Sequence, residues 1–308
     1  MVVVPHRARR IARAAAWIAI GLALTAGAVA GGPESDSIAI SPPLGGASWG
    51  GIGGAGGGFR VTPTRVVFEQ GFRSAELTLV NTGSEPTTYR ISLTRMRMSD
   101  DGAIAEVADL LPGETCADSL VRFSPRQVDL EPGVPQTVRM QLRKPANLPS
   151  GEYRSHLVFR ALPSLESEAG GPGGTRGVSI ALRPAFGAAI PVIVRHGETA
   201  ATVDIAGVEL RRRPDAEGGP CLALELRRAG SRSVYGDLMV TFAPRGGRPR
   251  MAGGLRGLAV YTPNPVRRVL VPLRADGPID WAAGTFQVDY RETGAEPRLL
   301  AEAELALP

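Results

Sequence analysis

Lysine is almost missing from this sequence: Lys144 is the only one in 308 residues, so arginine carries nearly all of the positive charge. The arginines are scattered among acids and form no dense basic stripe to track a phosphate backbone, which argues against a nucleic-acid partner. Cysteine is nearly as scarce. Cys116 and Cys221 are the only two, and they read either as one bridge, if their backbones come within reach, or as two small buried apolar residues. Beyond the amino-terminal region the histidines are His156 and His196, and neither sits in a spaced metal motif. The G-x-S-x-G spacing occurs at Gly46-Ala47-Ser48-Trp49-Gly50, but within a Gly-, Pro- and Ser-rich stretch that offers no strand before it and no helix after it to make a nucleophile elbow, and the phosphate-binding G-x-x-x-x-G-K-[ST] pattern fails because Pro145 follows Lys144. Acidic residues occur mostly as singles in strands and turns, as on a solvated face. These absences argue against an enzyme and imply neither a metal nor a small-molecule cofactor. The composition, 43% hydrophobic and 21% charged, is that of a globular protein.

What is present begins with an export pattern. Basic His6, Arg7, Arg9, Arg10 and Arg13 lead into an apolar stretch, Ala14 to Ala26, and then to Ala28-Val29-Ala30. That order is expected of a signal peptide over residues 1–30, with the mature chain starting at Gly31, and the apolar run is short for a membrane anchor. Removing those four arginines brings the formal charge of +5 close to zero. Residues 31–58 are rich in Gly, Pro and Ser and are expected to be a linker with no core of its own. Within them, Gly51-Ile52-Gly53-Gly54-Ala55-Gly56 matches dinucleotide-binding spacing. It follows no strand and leads into an extended segment, so the phosphate cradle is missing.

From Phe59 the apolar residues recur with period two, which places alternate side chains on one face of a sheet. Ala75, Leu77 and Leu79 alternate with polar neighbours, and after the turn at Asn81-Thr82-Gly83 the pattern resumes at Tyr89, Ile91 and Leu93. Further strands are expected at 120–123, 138–142 and 153–159, then at 203–210, 222–226, 238–242, 258–261, 269–273, 286–290 and 299–307. Turn signals roughly every ten residues, with no convincing amphipathic helix, predict an all-β chain of two β-sandwich domains, over 59–198 and 199–308.

The segment Val61-Thr62-Pro63-Thr64-Arg65-Val66-Val67-Phe68, with the strand from Ala75 to Asn81, resembles the opening of the periplasmic pilus assembly chaperones, the PapD-like family. Val121-Arg122-Phe123-Ser124-Pro125-Arg126 followed by Leu130-Glu131-Pro132-Gly133 is similar to that family's aromatic, Ser/Thr-Pro and turn pattern. Leu148-Pro149 with Glu152, Arg154 and Ser155 resembles its sixth strand, and Ile190 to Arg195 the end of its seventh. The match spans 59–198; over the second domain it rests on size and strand count alone.

What this resemblance implies is a non-enzymatic periplasmic chaperone of two immunoglobulin-like β-sandwich domains with a cleft between them. It would bind pilus or surface-fibre subunits by donor-strand complementation, with an outer-membrane usher as a further partner, and be a monomer when free. The physical reading agrees at one place: the polar, Gly-rich stretch from Pro163 to Gly177 feeds into alternating Val178, Ile180 and Leu182. An apolar edge strand there needs a partner; the same pattern also suits an ordinary internal strand. By the resemblance, Arg65 holds the position of a cleft arginine that grips the subunit's terminal carboxylate; a solvated strand arginine is the other reading. The companion lysine of the seventh strand has no counterpart, Pro184 and Pro191 interrupt that strand, and Arg183 is the nearest basic substitute. Arg195 matches an arginine of an interdomain ion pair, with Glu152 as its partner. The alternative function is a structural or adhesive two-domain envelope protein that uses the fold without chaperone activity.

Overall fold

The computed structural model describes residues 58–69, 71–162, 187–212, 219–274, 279–294 and 296–308. The expected signal, nearly all of the linker, and Val178, Ile180, Leu182 and Arg183 lie outside them. The described residues are all-β. The first sandwich comprises β1 (Phe59–Thr62), β2 (Val66–Phe68), β3 (Ser74–Asn81), β4 (Thr87–Thr94), β5 (Met96–Met98), β6 (Ile104–Glu106), β7 (Val121–Ser124), β8 (Gln127–Leu130), β9 (Gln136–Leu142), β10 (Gly151–Ala161) and β11 (Gly187–His196). The second comprises β12 (Ala201–Arg212), β13 (Pro220–Gly230), β14 (Val234–Pro244), β15 (Arg250–Val260), β16 (Val266–Pro272), β17 (Gly284–Glu292) and β18 (Leu299–Leu307).

In the first sandwich a β1-β3-β9-β7 sheet faces a β2-β11-β10-β4-β8 sheet, while β5 and β6 form a separate hairpin. Alternation explains the packing. Leu77 and Leu79 of β3 meet Val138 and Met140 of β9 in one core, while the intervening Glu76 and Arg139, register partners, form an exposed ion pair at 3.0 Å. Such a pair adds little, about 1 kcal/mol or less. Asn81 ends β3 as a fully buried amide: Nδ2 donates to the Glu85 and Leu130 carbonyls, and Oδ1 accepts from Gly83 N. A buried amide is tolerated where its polar atoms are matched in this way. The chain then switches sheets between β1 and β2, so β2 runs parallel to β11 while every other ladder is antiparallel.

The second sandwich pairs a β12-β13-β16 sheet with a β15-β14-β17-β18 sheet around Phe242, Phe286 and Tyr290. Two sequence expectations change here. β18 spans the expected 299–307, but other strands run longer than the apolar alternation, most of all β15, which starts eight residues before the expected Leu258 because Gly253, Gly254 and Gly257 break the pattern. Tyr261, expected inside that strand, instead follows it and joins a third buried cluster with Met98, Ile193 and Ala259. That cluster draws on both sandwiches. Cys116 is a free, half-buried thiol whose pKa is pushed up by burial, so no bridge joins it to Cys221, which is fully buried on β13.

Candidate functional site

The site begins with the outer face of the five-stranded sheet. On β2, Val66 and Phe68 enter the core, so Arg65, Val67 and Glu69 point away from it. The same parity on β10 turns Glu152, Arg154 and His156 outward, opposite Leu157 and Phe159. An outward row of Glu, Arg and His reads as a solvated face, yet Glu152, Arg154 and His156 are all buried. Their cover is the second sandwich.

Arg195 lies beside Glu152 and Glu69, its Nε 3.0 Å from Glu152 Oε2 and its Nη1 2.8 Å from Glu69 Oε2. The Glu152 side chain is fully buried and also accepts from Ser233 N at 3.1 Å and from Ser233 Oγ. The pair that the resemblance implied is present, and it is buried, Glu152 completely. A carboxylate removed from water needs each of these donors, and taking any away leaves a buried charge short of a partner. Ser233, which precedes β14, also accepts from Thr262 N at 3.0 Å, so one carboxylate ties β10 to two loops of the other sandwich. Nearby, Asn264 Nδ2 donates to Met98 O at 2.8 Å and Arg268 N to Asp100 O at 2.6 Å. The β5–β6 hairpin, which no sequence expectation included, is thus a strut of the same joint.

Arg65 stacks on Tyr235, its guanidinium carbon 4.5 Å from the ring centroid and 5.9 Å from that of Tyr261. Its Nη1 has no hydrogen-bond partner among the described residues, and no carboxylate there forms an ion pair with it. Arg154 packs on the other aromatic, 4.4 Å from the Tyr261 centroid, and donates from Nη1 to Met96 O at 3.1 Å. Burial pulls the Arg154 and Arg267 guanidinium pKa values below their ordinary range. Arg65, Glu69, Arg195, Arg232, Tyr235 and Arg298 line part of a cavity of about 610 Å³. Arg65 and Arg195 thus line one cleft with Ser233 and Tyr235, and Glu152, Arg154, His156 and Tyr261 are buried in the joint behind it; Ser233, Tyr235 and Tyr261 carry no signal in the sequence patterns above. Among the described residues no group of His, Cys, Asp and Glu is arranged to hold a metal.

Open backbone adjoins this cleft. β11 pairs with β10 along its whole length, from Gly187↔Arg160 to His196↔Gly151, and continues through Pro191 without a break in register. On its other side β2 covers only Val192 to Val194, so among the described residues the edge from Gly187 to Pro191 is unpaired. The parallel register Val66↔Val192 puts Arg65 level with Pro191, where the open edge meets the cleft.

His156 supplies a pH-dependent element. It is wholly buried, lies edge-on to Tyr261 with centroids 6.1 Å apart, and faces Arg154 and Arg65. Burial, then the two guanidinium charges, lower its pKa to about 3. The unfolded chain, with an ordinary imidazole near pH 6.5, therefore takes up this proton first as the pH falls. Stability from this group is intact above about pH 6.5 and declines toward pH 3. Between pH 7 and pH 5 the loss is about 2 kcal/mol. Urea titrations of the parent and of His156→Leu at both pH values check this: the variant is expected to lack that increment, and equal slopes would remove His156 as its source.

The fold and this cleft define a protein of two immunoglobulin-like β-sandwiches meeting at a buried polar joint. Neither a protein-family model nor a curated protein matches the sequence. Among solved structures, the chain is similar to the Pseudomonas aeruginosa CupB2 chaperone, with 15% identity over 81% of this chain and 100% of that one, at a TM-score of 0.40. It is similar to the E. coli chaperone DraB, with 14% identity over 81% and 96% of the two chains and a TM-score of 0.39. A chain of the Salmonella enterica complex of SafA pilin with the SafB chaperone gives 16% identity, 81% and 96% coverage and a TM-score of 0.37.

Proposed function

We propose that this protein is a periplasmic chaperone that holds an extended segment of a fibre subunit along the free edge of β11, with the subunit's terminal carboxylate at Arg65. The observation that carries the reading is the juxtaposition of that edge, Gly187 to Pro191, with an arginine that, among the described residues, has an unpaired Nη1 and no carboxylate partner. An open edge offers backbone donors and acceptors to a partner strand, whose alternate side chains then set specificity. A guanidinium suits a carboxylate because its planar fork presents parallel donors. In this reading Val178, Ile180 and Leu182, which precede β11 in sequence, supply apolar side chains to the subunit, and Arg183 is a second cation at the cleft. The joint of Glu152, Arg195 and Ser233 keeps the cleft walls in place.

A peptide with a free carboxyl end, titrated against its amidated twin, tests the anchor. The free acid is expected to bind more tightly, and Arg65→Ala to weaken it about 10- to 150-fold, the value of a charge-assisted contact of roughly 1.5 to 3 kcal/mol. Arg65→Lys recovers only part, since an ammonium lacks the fork. Equal affinities for the two peptides, with Arg65→Ala binding as the parent does, would show that Arg65 serves only its stack on Tyr235.

A further inference from the structure

The second sandwich carries a charged surface that the cleft does not use. From Leu238 to Ala275 the sequence contains Arg245, Arg248, Arg250, Arg256, Arg267, Arg268 and Arg274 and not one acidic residue. The fold divides these arginines. Arg267 is turned into the interdomain joint, and Arg268 faces Asp100 and Glu225. Arg245, Arg248 and Arg250 instead sit at the tip of the β14–β15 hairpin, where every residue from Arg245 to Met251 is exposed. Gly246, at φ +71°, and the bond from Gly247 N to Pro244 O at 2.8 Å close the turn. Arg274 joins them: it is exposed, and its backbone N donates to Ala252 O at 2.8 Å, next to Met251. Among the described residues none of these four arginines forms an ion pair. Asp280, on the stretch leading to Gly284, uses its carboxylate on Ala282 N. Met251, 57% exposed, stands among the arginines.

We infer that this tip is a contact point for an anionic phospholipid surface. The guanidinium fork matches phosphate oxygens, and arginines held near such a surface each strengthen adsorption by about fivefold. The unbranched thioether side chain of Met251, on β15 opposite Thr241 and close to the turn, can enter the headgroup boundary at little cost. Size separates this occupant from a protein. A stable protein interface takes about 20 to 30 residues a side, whereas the tip offers one turn and Arg274. Adsorption of a few point charges to an extended charged sheet needs no such area. It is also sensitive to salt, because exposed charges are screened within about 10 Å at 0.1 M.

The test is co-sedimentation of the full-length protein with vesicles of phosphatidylglycerol and phosphatidylethanolamine, against pure phosphatidylcholine. The parent and a triple variant, Arg245→Ser, Arg248→Ser and Arg250→Ser, are prepared with the same amino terminus, so that any contribution of the first residues cancels. The expected result is binding to anionic vesicles at low salt that drops roughly 100-fold in the triple variant, drops several-fold in Met251→Ser, and collapses above about 0.3 M salt. Unchanged thermal denaturation of the exposed-residue variants shows that folding is not the cause. Equal sedimentation of parent and triple variant, equal binding to neutral vesicles, or capture by soluble polyglutamate with none by vesicles would each overturn the inference. None of these readouts depends on Arg65 or β11.

Discussion

Glu152→Ala is expected to lower stability by about 3 to 5 kcal/mol, the range for breaking a buried ion pair from one side. The loss is asymmetric. Arg195 keeps Glu69 at 2.8 Å, but Ser233 N and Oγ lose their acceptor inside the joint, and a buried polar atom left unmatched costs about 1 to 3 kcal/mol. For a chain of this size the melting temperature should fall by on the order of 10 °C. Glu152→Gln keeps the shape and one acceptor, so it should recover part of the loss. Differential scanning calorimetry on both variants decides the matter. A shift below about 2 °C for the alanine variant would mean that the sandwiches are held by Met98, Ile193, Ala259 and Tyr261 alone.

Gly230→Ala should be comparably severe for a different reason. Gly230 ends β13 with φ +105°, a backbone that side chains rarely adopt. A Cβ there would lie 2.3 Å from Ala200 O and 2.9 Å from Ala201 Cα, against backbone that cannot swing aside. The turn is further fixed by Ser231 N donating to Ala200 O and by Arg228 Nη1 donating to Gly230 O. Left-handed strain and forced overpacking each cost about 1 to 3 kcal/mol, giving about 4 kcal/mol together. Gly133→Ala is the matched control, at φ +73° with nothing within 4 Å of the added carbon, and should lose only the conformational part. Similar urea midpoints for the two variants would show that the contact with Ala200 relaxes freely.

Period-two alternation carried most of the fold. β3, β9 and β17 bury alternate side chains on one face, so their apolar residues announce them. It failed where a strand is covered on both sides or built from glycine. β10 is buried on both faces through its middle, and its outward Glu152, Arg154 and His156 carry the polarity of a surface while being interior to the joint. β5 and β6 are three residues each, too short for a period to register. Arg65, Arg195 and Glu152 were legible because short patterns around them resemble a family with a cleft. Tyr235, Tyr261 and Ser233 were not, because each acts across the boundary between sandwiches, a contact that no local spacing encodes.

The three-way packing of β10, the β5–β6 hairpin and the loop at Tyr261 also bears on the order in which the molecule assembles. A chain folds from its amino terminus as it emerges. When the first sandwich is complete, Val67, Met98, Ile104 and Ile193 still lack the residues that will cover them, since Ala259 and Tyr261 come near the end. Until then that half presents a sticky, partly charged wall in place of a finished surface. A protein whose proposed task is to shield the unfinished edge of another chain thus passes through a stage in which it is itself unshielded.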